Sequence, residues 1–222
     1  MKVQVLRRGT SRSFPVPHSL LEQGGEPGGG LLLLGDQAGE LLTSVQQMER
    51  YPFVAIELGH ECLGVHTGEL DRPDMRRVVG FARFRQGHLP PSDLVELVRK
   101  PFTSAETCAA AKAAFEEGGL KVAVCNDFPG RIVNRLIRPV YNAILRRLDE
   151  GLASAEDLDK TLCLGLGYPE GIVGLLERAG LEAHYEATAA LYEALGETAY
   201  VPARRAAVTH RGAAHGRASS RG

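Results

Sequence analysis

Three side chains able to bind a metal, His60, Cys62 and His66, stand close together in an H-x-C-x3-H pattern. A closed zinc site needs four ligands of this kind, and no fourth is evident nearby. A polar loop following a strand accounts for the pattern, so no metal is expected. Cys62, Cys108, Cys125 and Cys163 are far apart with no C-x-x-C pair, which suits reduced thiols better than a disulfide framework. The other concentrated charge is at the C-terminal end. Residues 203–222 carry five arginines and no acid, so a net charge of −1 for the 222-residue chain leaves −6 on the rest. With its Gly, Ala and Ser content this segment reads as a basic flexible tail; an anion-binding arm is the alternative.

The elements that must position any chemistry follow from periodicity. Val3 to Leu6 alternates like a strand, and the Pro- and Gly-rich stretch after it reads as loop. Leu31 to Leu34 is fully apolar, as in a buried strand of a parallel sheet. Residues 39–50 have helical spacing up to Tyr51-Pro52. Phe53 to Leu58 and Arg77 to Phe81 are further strands, which makes a small α/β unit. Thr103-x-x-Glu106 fits a capping box opening an alanine-rich helix, and Lys121 to Cys125 reads as a strand. From Val133 to Leu148 apolar residues recur every 3.6 positions, a long amphipathic helix. Ser154-x-x-Asp157 suggests a second capping box, and a last helix covers about Glu182 to Leu195. Four leucines are the longest run of strong hydrophobes, against the roughly 20 residues that span a bilayer. No membrane association, no secretory leader and a cytoplasmic location are therefore expected. A pI near 6.7 gives no support to nucleic-acid binding.

Three ordered segments in the second half carry a family resemblance. Asp127-Phe128-Pro129-Gly130-Arg131-Ile132-Val133-Asn134-Arg135-Leu136 resembles "D-x-P-G-F-x-x-N-R-L", with arginine for phenylalanine. Glu150 to Asp159 resembles "E-G-x-A-S-x-E-D-I-D", and Leu164 to Gly171 resembles "L-G-x-G-Y-P-M-G" with Glu170 for methionine. These are segments of the 3-hydroxyacyl-CoA dehydrogenase family, 3-hydroxybutyryl-CoA dehydrogenases included. The resemblance implies an α/β reduced Rossmann-like N-terminal domain followed by an all-α C-terminal dimerisation domain. The expected boundaries are 1–126 for the first, 127–203 for the second and 204–222 for the tail.

What the family's chemistry needs is only partly present. Oxidation of a 3-hydroxyacyl thioester takes a nicotinamide, a histidine base oriented by a glutamate, and polar groups on the forming carbonyl. By resemblance the glutamate falls on Glu96 and the asparagine on Asn134. The histidine of "G-M-H-F-F" falls on Ala82, which cannot carry a proton; losing a general base costs about 10²–10⁴ in rate. His88 is the remaining candidate for a displaced base, with an exposed loop histidine as the plain alternative. In the coenzyme motif only the middle glycine, Gly9, survives, with Arg7 and Arg12 at positions that need glycine for steric reasons. Only 18 residues separate Arg12 from Leu31, whereas a βαβ unit takes roughly 30. No bound cofactor is therefore expected, although the family uses NAD. The expected function is that of a homologue without NAD-dependent catalysis, which keeps homodimer formation through its C-terminal helices and acyl-CoA as a possible ligand. The alternatives are an active oxidoreductase of fatty-acid metabolism using His88, and a purely structural partner of a full-length relative.

Overall fold

A computed structural model of the chain describes residues 2–22, 24 and 28–219. The chain divides into two compact units, residues 1–85 with 91–132, and residues 86–90 with 133–222.

The first unit is built on one six-stranded sheet. Its strands are β1 (Val3–Arg7), β2 (Gly30–Leu34), β3 (Val54–Glu57), β4 (Val78–Arg83), β5 (Leu94–Arg99) and β6 (Lys121–Asn126), and they lie side by side in chain order. All neighbours are parallel except β4 and β5, which pair antiparallel. Every residue of β2 is buried. Leu32 and Leu34 join Phe14, Leu20, Phe81 and Phe115 on one face, and Leu31 and Leu33 join Leu42, Ile56 and Leu63 on the other. A strand covered on both faces has no polar side to alternate with, which is why Leu31 to Leu34 reads as an unbroken apolar run.

The connections cover these faces unequally. The β1–β2 link, with only the short α1 (Ser19–Glu22), lies on the face that holds Phe14 and Leu20. The β2–β3 link with α2 (Ala38–Ser44) and the β3–β4 link with Leu63 and α3 (Gly64–Thr67) lie on the opposite face. All three step the same way across the sheet, so the β1–β2 link has the opposite hand to the other two.

The expected helix over residues 39–50 stops at Ser44, and a short 3-10 turn takes Met48–Arg50. The helix α4 (Ala105–Glu117) is capped by Ser104, whose Oγ accepts the Thr107 N–H at 3.1 Å. The cap is one residue later than the Thr103 signal, because the Thr103 hydroxyl instead accepts the Lys100 N–H at 3.0 Å.

The second unit is all helical: α5 (Val133–Asp149), α6 (Ala155–Leu166), α7 (Ile172–Ala179), α8 (Leu181–Leu195) and α9 (Arg204–Ser219). Tyr141, Leu145, Leu162, Ile172, Leu176 and Ala203 form its core. Ser154 caps α6 as its sequence signal predicts, accepting the Asp157 N–H at 3.1 Å. Asp159 then caps α7 from a distance, accepting the Val173 and Gly174 N–H groups at 2.8 and 2.9 Å. Pro139 sits inside α5 and cannot donate to the Arg135 carbonyl one turn back. The Tyr200 hydroxyl makes that hydrogen bond instead, at 3.2 Å. Residues 204–219 form α9 where composition suggested an irregular tail. Ala203 and Ala206 are buried at its start, so tertiary burial overrides the polar composition.

Candidate functional site

Within the first unit, antiparallel pairing sets Ala82 of β4 directly across from Glu96 of β5. Glu96 is 1% exposed. One carboxylate oxygen accepts the Ile132 N–H at 2.7 Å, and the other lies 3.7 Å from Nε of Arg131. Arg131 follows the Asp127–Gly130 turn and has a positive φ of 53°, uncommon for a side chain of this size. The turn aims its guanidinium into the unit, where Nη2 donates to the Gly59 carbonyl at 2.7 Å. Burial pulls the Arg131 pKa down, and Glu96 and Glu61 push it back up; an arginine stays charged under both influences. Glu96 therefore faces a buried cation, and the residue opposite it on the sheet has no titratable group. Cys125 lies in the same surroundings, and burial with the Glu96 charge raises its thiol to about 11.

The loops that leave the C-terminal ends of β1 and β2 are tied down by two carboxylates. Asp36 accepts the Thr10 N–H at 3.2 Å, and its Oδ1 lies only 1.8 Å from where a Cβ on Gly9 would sit. Gly9 has φ of +78°, so both conformation and space require glycine there. Glu57, buried at the end of β3, accepts the Ser13 N–H at 2.7 Å and the Gly35 N–H at 2.8 Å. In a dinucleotide fold the backbone after the first strand approaches the pyrophosphate, and the crevice opens where strand order reverses. Here the N–H groups hold the chain's own anions. Strands β1 to β4 advance across the sheet without reversing. Arg7 reaches toward the Phe14 carbonyl at 3.5 Å, and Arg12 meets the His60 ring at 3.3 Å. The residues at this position do not fit a nicotinamide dinucleotide.

The H-x-C-x3-H residues do not converge. His60 turns to Arg12, while His66 pairs with Glu61 at 3.2 Å. Burial raises the Glu61 carboxyl, but the hydrogen bonds from His66 and the Gly59 N–H outweigh it and bring the pKa to about 2.

Within the second unit, Asn134 is buried in the first turn of α5 and accepts the Nε–H of Arg138 at 2.8 Å. Arg138 also donates through Nη1 to Nδ1 of the fully buried His184 at 3.1 Å. A guanidinium only donates, so Nδ1 must accept, and Nε2–H of His184 donates to Oδ1 of Asn142 at 3.0 Å. Asn142 completes the chain by donating to the Ala199 carbonyl at 3.0 Å. Burial first, then the Arg138 charge, lowers the His184 pKa to about 3. This network went unseen in the sequence because its members come from α5, α8 and the segment before α9. His88 has an exposed side chain in the 86–90 segment, and its N–H donates to the Ala179 carbonyl at 3.1 Å. Of the two residues marked by resemblance and the displaced-base candidate, Glu96 is held by partners of the first unit, and Asn134 and His88 by partners of the second.

The comparisons with known proteins agree with this architecture. Residues 130–222 match the 3-hydroxyacyl-CoA dehydrogenase C-terminal domain. The chain is 32% identical over 127 residues to a probable 3-hydroxybutyryl-CoA dehydrogenase of Bacillus subtilis, covering 57% of this chain and 44% of that protein. It is 38% identical over 94 residues to the human mitochondrial hydroxyacyl-coenzyme A dehydrogenase, covering 42% of this chain and 30% of the human one. Among solved structures, (S)-3-hydroxybutyryl-CoA dehydrogenase from Ralstonia eutropha superposes with a TM-score of 0.66 at 26% identity, over 80% of this chain and 63% of that one. By these matches the chain is similar to 3-hydroxyacyl-CoA dehydrogenases, with residues 130–222 matching their C-terminal domain. It spans less than half the length of these curated relatives.

Proposed function

We propose that this chain is a family member without NAD-dependent hydride transfer, that it works by association through its helical unit, and that acyl-CoA is its ligand class. The observation that carries the first part is the closed loop after β1, where Asp36 and Glu57 take the Thr10, Ser13 and Gly35 N–H groups. A phosphate entering there would meet two carboxylates instead of free donors. Ala82 opposite Glu96, with Arg131 as the acid's buried partner, supports the same reading at the place where the family keeps its base. Association is supported by an apolar row left outside on α5. Leu136, Val140 and Ala143 follow one another at helical spacing, and Leu136 is 67% exposed. On α6, Leu164 is 83% exposed. Apolar patches of this kind mark protein–protein contact.

The test is turnover of acetoacetyl-CoA with NADH, followed at the nicotinamide absorbance band. No rate above the buffer control is expected. A steady rate that scales with protein and vanishes in His88→Gln would establish the displaced-base oxidoreductase in its place. Light scattering is expected to give a dimer, and Leu136→Asp a monomer; a wild-type monomer would remove the association reading.

A further inference from the structure

Glu182 and Glu186 lie one turn apart on α8, and His210 of α9 faces them. One ligand atom from each lies within 4.8 Å of the other two. With a neutral imidazole this group carries two negative charges, and like charges four residues apart on a helix repel. Nδ1 of His210 is sealed from solvent, makes no hydrogen bond, and sits 3.7 Å from Oε1 of Glu182. That separation is too long for a hydrogen bond and suits two ligands of one ion. The ring stacks on Tyr185 with centroids 4.2 Å apart and planes at 18°, which favours this orientation.

We propose that Glu182, Glu186 and His210 bind one divalent transition-metal ion. An imidazole nitrogen with two carboxylate oxygens suits zinc, cobalt or manganese, which take such ligands at about 2.0–2.2 Å. Rotation of the exposed Glu186 side chain closes the remaining distance. Three protein ligands leave water in the other positions. The ion ties α9 to α8, so it latches the C-terminal helix that composition alone marks as a tail. This site shares no residue with the coenzyme reading and stands or falls separately.

The test is titration of the full chain, stripped by chelator, with Zn²⁺ by calorimetry and with Co²⁺ by visible absorption. The expected result is one ion per chain, d–d bands without the intense thiolate band that cysteine ligation gives, and a raised melting temperature. His210→Gln and Glu186→Gln are each expected to weaken binding at least about tenfold. Glu186 is on the surface, so its variant reports even if His210→Gln folds poorly. Unchanged Zn²⁺ affinity in Glu186→Gln, a thiolate band, or no binding by wild type below millimolar metal would each overturn the proposal.

Discussion

Glu96 shows how a side chain can keep its place while its surroundings change. Its neighbour across the sheet is Ala82, and its charge is met by Arg131 from a turn where the family motif has phenylalanine. Removing one partner of a buried ion pair leaves the other uncompensated, typically at about 3–5 kcal/mol. Glu96→Ala is therefore expected to lower unfolding free energy by about that amount in urea titration; a loss within measurement error would mean that the pair is solvated. His184 gives a pH signature. Its pKa falls from 6.5 to about 3 on folding, so the unfolded chain binds the extra proton between those values. Stability from this group is complete above pH 6.5 and is lost as pH falls toward 3. Glu61, lowered to about 2 from 4.5, loses its share over the lower window between those two values. Urea midpoints measured across this range should rise with pH and flatten near neutrality, and His184→Asn should flatten the slope above pH 4.5. A wild-type slope that persists unchanged in that variant would show that other groups produce it.

At the scale of elements, the strands of the first unit other than β5 were legible, most clearly where burial on both faces leaves an apolar run; β5 (Leu94–Arg99) was not read as a strand. Leu31 to Leu34 is the clearest example, Phe53 to Leu58 is broken only by Glu57, and Val133 to Leu148 showed its helix by period alone. The Thr103 box was displaced to Ser104, because two adjacent hydroxyls offer the same local signal and only the preceding turn decides between them. The helix α9 was not legible, since its polar, glycine-containing composition gives no stripe and its order comes from packing. The closing of the β1 loop was equally invisible. Gly9, Asp36 and Glu57 are separated in sequence, and only the sheet brings them together. This closure can be tested locally. Glu57→Ala would leave the Ser13 and Gly35 N–H groups without their acceptor, and each buried unsatisfied donor costs about 1–3 kcal/mol. A drop of that order in stability is expected on thermal or urea unfolding; a neutral substitution would mean that water already serves these groups.

For the whole molecule, the sheet order carries the functional argument. Among the described residues β1 to β4 lie in chain order, with no point where strand order reverses, and the usual dinucleotide crevice depends on that reversal. The family resemblance was legible in three short segments of the second half. That the span before Leu31 is too short for a βαβ unit was legible as well; the strand order was not. The carboxylates that fill the loop needed the three-dimensional structure. Equilibrium titration of the intact chain with NADH, read by nicotinamide fluorescence and calorimetry, tests this most directly. No saturable binding into the millimolar range is predicted, and a micromolar dissociation constant with one coenzyme per chain would contradict it.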